Sequence, residues 1–234
     1  MFKIYGKNCV NEAIRARHEI EMLDIEELAD KKNPEFKRML EDKHIKYNIL
    51  PKKSMDKKYG ANHQGFGAIV SEYKYANLDD LIKLKKDSRK IFLVLDGIED
   101  PHNLGAMIRS CDAFSIDAII IPKNRSVSIT ETVAHVSTGA IEYVPICMVN
   151  NLGQCLKKLK ENGMWVVGTD ASARETASDI DKSLDIAVII GSEGFGISKP
   201  VKNECDYYIQ IPMTGHVNSL NASVSCGIIL ALLK

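Results

Sequence analysis

The chain has 234 residues, 45% of them hydrophobic, which suits one large packed domain or two small ones. Lysine plus arginine and aspartate plus glutamate each number 31, so a uniformly basic surface is excluded. The six cysteines are far apart and form no C-x-x-C pair, which predicts reduced, buried thiols and no metal site. No secretory signal and no apolar run of membrane-spanning length is seen, so we expect a cytoplasmic protein that does not enter a membrane.

Basic and acidic residues are unevenly distributed along the chain. Up to Lys90 there are 20 Lys and Arg against 15 Asp and Glu, whereas the remainder holds 11 against 16. A local basic face is therefore compatible with the zero net charge. Two basic groups stand out, Lys52, Lys53, Lys57 and Lys58 in the first part and Lys83, Lys85, Lys86, Arg89 and Lys90 near its end. Each group indicates either a solvated surface or a module that contacts phosphates.

A small α/β module is predicted for the first part of the chain. Pro34 suits the first turn of a helix, and Asn77 is a suitable N-cap for another. Residues 20–25 fit a strand and a helix equally well. The predicted helices are 10–18, 34–42 and 78–86, and the predicted strands are 47–50 and 66–70.

Short apolar runs rich in isoleucine and valine alternate with helical segments in the second part. Strands that are buried on both faces have this composition, and their alternation with helices indicates a mainly parallel sheet. We therefore predict an α/β fold in which helices flank the sheet. The predicted strands are 91–95, 118–121, 141–144, 165–168, 187–190 and 207–211, and the predicted helices are 104–114, 129–137, 152–161, 198–204 and 219–233.

The loops that follow these strands contain the residues best suited to chemistry. Parallel sheets bind ligands at the carboxyl ends of their strands, where these loops are expected to meet. Residues 191–196 have glycines at positions one, four and six around Glu193, which is neither a P-loop nor a dinucleotide fingerprint. This loop suits a ligand with hydroxyls or a positive centre. The candidate residues at this edge are Asn103, Arg109, Glu193, Ser219 and Asn221.

Each candidate also has an ordinary structural explanation. Asn103 could cap one helix, and Ser219 or Asn221 could cap the last one. Arg109 could be a surface or salt-bridged arginine, and Glu193 a solvated charge. A shared site explains these residues better than separate coincidences, because all of them are predicted at the same edge of the sheet.

Three blocks of the second part carry the candidate residues: LDGIEDPHNLGA at 95–106 with Ile108-Arg109, IIGSEGFGIS at 189–198, and IPM at 211–213 with SLNAS at 219–223. Together they resemble the SpoU–TrmH family of RNA 2′-O-ribose methyltransferases, and the resemblance covers residues 91–234. Ser137-Thr138-Gly139-Ala140 is similar to a further motif of that family. The resemblance implies a trefoil-knotted fold, S-adenosylmethionine as methyl donor, and a homodimer in which RNA reaches one active site across both subunits.

The first part contains Ile4-Tyr5-Gly6 and His63-Gln64-Gly65-Phe66. In these segments it resembles the substrate-binding domain of the bacterial RlmB subgroup of that family, which methylates a guanosine of 23S ribosomal RNA. The predicted organisation is then an RNA substrate-binding domain at 1–74, a linker at 75–90 and a methyltransferase domain at 91–234. The sequence departs from the family pattern outside its main polar set, at Cys111, Ser115, His135, Asn218 and Ala222.

The chemistry that the resemblance implies starts from a poor nucleophile. A ribose 2′-hydroxyl must lose its proton, or its developing negative charge must be stabilised, while oxygen, methyl and sulfur are aligned. The family implicates Arg109 in activating this hydroxyl. Because arginine is a permanent cation, we interpret Arg109 as stabilising the alkoxide and clamping the adjacent phosphate. A deprotonated Arg109 that acts as a base is the alternative.

The other candidates would position the reactants. Asn103 would orient Arg109 or the ribose, and Ser219 and Asn221 would fix a phosphate or the donor's carboxylate at a helix start. Glu193 would hold a hydroxyl or offset a positive charge. The resemblance also implies the residues that surround the adenosine of the donor, which are Thr169, Gly191, Ile211, Met213 and Leu220.

Two alternatives to ribosomal RNA methylation are retained. The chain could perform the same reaction on transfer RNA, although its basic first part and the His63-Gln64-Gly65 segment favour ribosomal RNA. It could also be a non-catalytic RNA-binding factor of ribosome assembly. The presence of Arg109, Asn103 and Asn221 disfavours this second alternative.

Overall fold

The computed structural model of the chain describes residues 2–216 and 219–234, which form two compact units. The first unit contains residues 2–74 together with Ile129–Tyr143, and the second contains Tyr75–Ser128 and Val144–Lys234. Residues 75–90, predicted as a linker, therefore lie in the second unit, where Leu81 and Ile82 are part of the hydrophobic core. Ile129–Tyr143, predicted within the methyltransferase domain, packs in the first unit.

The secondary structure alternates between strands and helices through most of the described chain. The strands are β1 Phe2–Tyr5, β2 Ile20–Glu26, β3 Asn48–Leu50, β4 Phe66–Val70, β5 Ile91–Asp96, β6 Ala118–Pro122, β7 Ile146–Val149, β8 Trp165–Thr169, β9 Glu175–Thr176, β10 Ile186–Gly191 and β11 Tyr207–Gln210. The helices are α1 Lys7–Arg15, α2 Glu27–Lys32, α3 Pro34–Asp42, α4 Lys52–Tyr59, α5 Leu78–Ile82, α6 Pro101–Ala113, α7 Glu131–Val136, α8 Leu152–Glu161, α9 Lys199–Lys202 and α10 Ala222–Leu232, with short 3₁₀ helices at Ala140–Glu142 and Ala177–Asp179.

The first unit is built on a four-stranded sheet in the order β1-β4-β2-β3. Strand β4 is antiparallel to both of its neighbours, whereas β2 and β3 run parallel. Helix α1 buries Cys9, Val10, Ala13 and Ile14, a spacing that places them on one helical face. Helix α4 was not predicted, because four of its eight residues are lysines and only two, Met55 and Tyr59, are buried. These two are four residues apart, which is too few apolar positions to show a helical pattern.

The second unit contains a seven-stranded sheet in the order β7-β6-β5-β10-β8-β11-β9, in which all paired strands are parallel. The predicted α/β fold with a mainly parallel sheet is thus confirmed. Residues 91–95 of β5 and 186–190 of β10 are buried throughout, as expected for strands covered on both faces. The trefoil knot stays a prediction from the resemblance.

The order of the central strands places three loops side by side. Strands β5 and β10 are neighbours, with Asp96 opposite Gly191 at their carboxyl ends. Strand β8 pairs with the other edge of β10, and its last residue, Thr169, lies opposite Ile209 of β11. The loops after β5, β8 and β10 therefore leave the sheet at one edge.

The structure corrects one predicted strand and several element ends. Residues 141–144 form no strand; they follow the turn at Gly139, and the strand is β7, which begins after Pro145. Ile141 and Val144 are buried apolar residues, so their composition resembles that of a strand although neither residue pairs with one. The last helix begins at Ala222 and not at residue 219, and α5 ends at Ile82 and not at residue 86.

No helix within residues 2–216 and 219–234 is long and apolar enough to span a membrane.

Candidate active site at the carboxyl edge of the large sheet

A cavity of about 770 Å³ opens at the carboxyl ends of β8, β10 and β11, beside the start of α10. We call it the edge cavity. Its walls include all five residues that the resemblance assigns to the adenosine, together with three of the five predicted catalytic residues. These eight residues are Thr169, Gly191, Glu193, Ile211, Met213, Ser219, Leu220 and Asn221.

The segment from Gly191 to Gly196, here called the glycine turn, forms one wall of the edge cavity. Ser192 N–H donates to the Gly196 carbonyl at 3.1 Å, and Gly196 N–H donates to the Ser192 carbonyl at 2.9 Å. A Cβ added at Gly191 would lie 2.3 Å from the carbonyl carbon of Gly196 and 2.5 Å from Ile197 N. Glycine is therefore required at position 191, because the turn folds back onto its own strand.

Asn221 connects two other predicted residues through its side-chain amide. Its Nδ2 donates to Asn103 Oδ1 at 3.0 Å and to Glu193 Oε1 at 2.5 Å. Its Oδ1 accepts hydrogen bonds from the backbone N–H groups of Ser223 and Val224, which makes Asn221 the N-cap of α10. Because these backbone groups are donors only, the orientation of the amide is determined and Nδ2 must face Asn103 and Glu193.

The Glu193 carboxylate is held at the start of the same helix. Its Oε1 accepts from Ala222 N–H at 2.9 Å as well as from Asn221. A carboxylate at a helix N-terminus is stabilised by the unpaired N–H groups there. Glu193 is thus exposed but held in place by hydrogen bonds at the start of α10. We call Asn103, Glu193 and Asn221 the Asn–Glu network.

Asn103 and Ser219 do not cap helices, which was the structural alternative to a role in the site for both residues. The N-cap of α6 is Asp100, which accepts from His102 N–H at 2.9 Å, so Asn103 lies inside the first turn. Ser219 lies ahead of α10 and lines the edge cavity, while Asn221 caps that helix. Both side chains are therefore available to the site.

Arg109 lies on α6 and is exposed. It does not line the edge cavity, and within residues 2–216 and 219–234 it makes no hydrogen bond or ion pair. The described chain therefore brings together four of the five predicted catalytic residues, whereas Arg109, on the same helix as Asn103, has no hydrogen bond to any of them.

Two charged residues that the sequence reasoning did not select also line the edge cavity. Asp170 Oδ2 accepts from Lys202 Nζ at 3.2 Å, while its other oxygen accepts from the hydroxyl and the N–H of Ser172 at 2.7 and 2.9 Å. These hydrogen bonds, with that from Lys202, lower the pKa of Asp170 to about 2. Asp170 is two residues beyond the predicted strand 165–168, in the loop expected at the edge of the sheet, which was the available signal. Lys202 is 32 residues away and had none.

The charge balance of the edge cavity suits a cationic ligand. Among the described residues, the charged side chains that line it are Asp170, Glu193 and Lys202, which are two carboxylates and one ammonium group. No three His, Cys, Asp or Glu side chains in the described part of the chain are grouped to hold a metal ion.

Of the departures from the family pattern, Asn218 lies outside the described residues. His135 is in the first unit, stacked on the Tyr5 ring at 4.2 Å between centroids.

Two models of known protein families match this sequence, one over each part of the chain. The sequence model of the SpoU rRNA Methylase family matches residues 90–231, and the model described as RNA 2′-O ribose methyltransferase substrate binding matches residues 3–76. A Staphylococcus aureus protein named as a TrmH family tRNA/rRNA methyltransferase is 44% identical over 97% of this chain and 93% of its own length. A Staphylococcus haemolyticus protein of the same name is 44% identical over 97% and 92%.

Solved structures share the fold. The SpoU methyltransferase AviRb from Streptomyces viridochromogenes has a TM-score of 0.83 at 22% identity, covering 99% of this chain and 88% of its own; it has also been solved with the cofactor AdoMet. An AdoMet-bound rRNA methyltransferase from Sinorhizobium meliloti has a TM-score of 0.81 at 22% identity over 99% and 86%. With a family model matched over more than half of its length and relatives 44% identical, this chain belongs to the SpoU rRNA methylase family.

Proposed function

We propose that the chain transfers the methyl group of S-adenosylmethionine to a ribose 2′-hydroxyl of RNA, at a guanosine of 23S ribosomal RNA. The observation that carries the proposal is the Asn–Glu network at the wall of a nucleoside-sized cavity. Three polar side chains from distant parts of the chain are hydrogen-bonded there at the carboxyl edge of a parallel sheet. Family membership and the match of the first part to a ribose-methyltransferase substrate-binding model support it.

The edge cavity fits S-adenosylmethionine in size and chemistry. About 770 Å³ is within the range of cavities that hold a ligand of this size. Ile211, Met213 and Leu220 supply apolar surface for an adenine ring, and Glu193 supplies negative charge toward a sulfonium. When bound, the donor supplies a methyl group that is already activated by the positive charge on sulfur.

The chain's own residues align the reactants and stabilise charge. The Asn–Glu network fixes the position of Asn103, whose amide is then oriented toward the ribose. Arg109 stabilises the developing alkoxide and clamps the phosphate next to it. Since Arg109 is exposed and lies away from the edge cavity of its own chain, this role fits a homodimer in which it serves the cavity of the other subunit.

The RNA substrate is proposed from the first unit. Its match to a substrate-binding model and the four lysines of its helix α4 favour ribosomal RNA, a substrate in keeping with the predicted cytoplasmic location. The names of the curated relatives include both tRNA and rRNA, so transfer RNA is the second substrate to be tested.

The proposal is tested by methyl transfer from radiolabelled S-adenosylmethionine to unmodified 23S ribosomal RNA and to transfer RNA, separately. We expect label in ribosomal RNA, at one position that resists alkaline cleavage. Arg109→Ala should abolish it, Arg109→Lys should keep a measurable part because the charge is retained, and Lys157→Ala on the exposed face of α8 should match the wild type. Label in transfer RNA alone would contradict ribosomal RNA as the substrate. Binding of S-adenosylmethionine without label in either RNA would contradict methyl transfer as the reaction.

A further inference from the structure

Phe195 is the most solvent-exposed large apolar side chain of the described residues. Its exposed fraction is 96%, and the next is Leu28 at 54%. A single exposed apolar residue is common on protein surfaces, but the ring of Phe195 is almost uncovered by its own chain and is therefore accessible to a molecule that binds beside the candidate site. Phe195 also belongs to the wall of the edge cavity, which places it at the rim.

The backbone holds Phe195 in one position. It lies in the glycine turn, closed by the two hydrogen bonds between Ser192 and Gly196. Gly194 and Gly196 adopt positive φ angles of 113° and 63°, which direct the chain around the tip. On the same turn, Glu193 is attached to Ala222 N–H and to Asn221. The exposed ring is therefore carried on an anchored support two residues from the Asn–Glu network.

We propose that Phe195 is a stacking platform for an unpaired base of the substrate RNA, beside the ribose that is methylated. This inference rests on the proposed function and extends it by naming the form of RNA bound: a nucleotide splayed out of its stack. Bases released from their stacks are bound in proteins by aromatic side chains. A phosphate is disfavoured at this position by the nearby Glu193 carboxylate, whereas a base presents an uncharged face.

The chemistry of the side chain limits what it does. A phenyl ring has no hydrogen-bonding group, so it holds any base by its face and reads no sequence. Its effect is to fix the orientation of the nucleotide so that the 2′-hydroxyl is presented to the network. Phe195 is therefore a positioning residue, and base identity must be read by other groups.

This role is tested by the kinetics of two variants, Phe195→Tyr and Phe195→Leu. The matched control is Leu84→Ala, which changes an exposed leucine elsewhere in the second unit. A stacked base is worth ~1–3 kcal/mol, so we expect Phe195→Leu to raise the KM for RNA roughly 5- to 160-fold. Phe195→Tyr should stay within about threefold, and Leu84→Ala should match the wild type. The Kd for S-adenosylmethionine should be unchanged in all of them. An unchanged KM in Phe195→Leu, a raised donor Kd, or a changed oligomeric state would each overturn the proposal.

A fluorescence measurement separates this inference from the methylation reaction itself. Trp165 is the single tryptophan and lies at the opposite, amino end of β8, so Phe195→Trp combined with Trp165→Phe gives one reporter at the tip of the turn. A mixed-sequence single-stranded octaribonucleotide should quench it, and the same sequence as a duplex should quench it at least fivefold less. Quenching in a protein without methylation activity would contradict the proposed function and support the platform. No quenching, equal quenching by the duplex, or equal quenching of Trp165 in the wild type would overturn the platform.

Discussion

The amide of Asn221 combines a structural and a chemical task. Its oxygen caps α10, and its nitrogen holds Asn103 and Glu193, residues 118 and 28 positions away in the sequence. A cap substitution would therefore alter stability and site geometry at once. The two effects can be separated, because the chain has a second asparagine N-cap, Asn151 of α8, which accepts from Gln154 N–H at 3.0 Å and does not line the edge cavity.

We expect Asn221→Ala and Asn151→Ala each to lower the free energy of unfolding by ~1 kcal/mol, the usual cost of losing an N-cap. Methyl transfer should fall about tenfold or more in Asn221→Ala, because Asn103 and Glu193 lose their shared donor. It should be retained in Asn151→Ala. Chemical denaturation and initial rates measure the two quantities. Equal activity of the two variants would show that Asn221 only caps the helix.

Gly191 is a second residue whose replacement has a defined steric outcome. A methyl group there would meet the backbone of Gly196 and Ile197, so Gly191→Ala must displace the glycine turn. We expect at least a tenfold weaker affinity for S-adenosylmethionine by calorimetry. The control is Gly153→Ala in α8, where the nearest atom is 3.4 Å away and alanine favours the helix by roughly 0.5–1 kcal/mol. Donor affinity equal to the wild type in Gly191→Ala would show that the turn yields without effect.

At the scale of elements, a histidine joins two segments of the first unit. His18, three residues after α1, has Nδ1 at 2.9 Å from Glu142 Oε2 and Nε2 at 3.2 Å from the Ser71 carbonyl. Both ring nitrogens face acceptors, so both must donate, which only the imidazolium form can do. The hydrogen bond with Glu142 is the largest cause that raises the pKa of His18, and it is opposed by burial of the ring and, more weakly, by Lys74. Both side chains are largely buried, at 14% and 12% exposed.

This arrangement predicts a pH-dependent stability. A group whose pKa is raised by folding stabilises the protein fully below its unfolded value of about 6.5, and this contribution is lost as the pH rises through the folded-state value. The advantage of the wild type over His18→Gln in urea denaturation should therefore be largest near pH 6 and shrink as the solution becomes more alkaline. A difference in stability between wild type and His18→Gln that does not change with pH would refute this prediction. In a Glu142→Gln background, the pH dependence of this difference should be weaker.

At the scale of the whole molecule, a segment from the second half of the sequence completes the first unit. Ile129–Tyr143 packs with residues 2–74, and Gly139 lies so close to α1 that a Cβ would be 2.6 Å from that of Glu12. The Cys9 thiol donates to the Ala134 carbonyl at 3.2 Å. Burial raises the pKa of Cys9 to about 12. The family-like motif Ser137-Thr138-Gly139-Ala140 thus has a packing reason in this structure.

A fragment of residues 1–74 should be less stable than the same residues in the full chain, because the surface covered by Ile129–Tyr143 would be exposed. Cys9 is the single cysteine of that fragment, so its thiol reports the exposure. We expect rapid reaction with an aromatic disulfide reagent in the fragment. In the full chain, where Cys9 is buried, mass spectrometry should show protection. A fragment with an equally protected Cys9 would mean that residues 1–74 fold independently of the segment.

Local sequence patterns predicted the elements whose periodicity and caps agree with their surroundings. Helices α3 and α8 occur at their predicted bounds, since proline begins the first and asparagine caps the second. The central strands β5 and β10 were recognisable because burial on both faces demands unbroken apolar runs. The strand predicted at 141–144 failed for a related reason: buried apolar residues there pack in a turn, and burial alone does not distinguish a turn from a strand.

The α/β class, the parallel sheet and the edge where the polar loops gather could be predicted from the sequence, because they follow from local patterns and from the geometry of parallel strands. Three relations could be seen only in the folded chain: the packing of Ile129–Tyr143 in the first unit, the hydrogen bond from Lys202 to Asp170, and the hydrogen bonds from Asn221 to Asn103 and Glu193. These relations join residues tens of positions apart. Their positions depend on chain crossings and packing, which leave no periodic signal in the sequence.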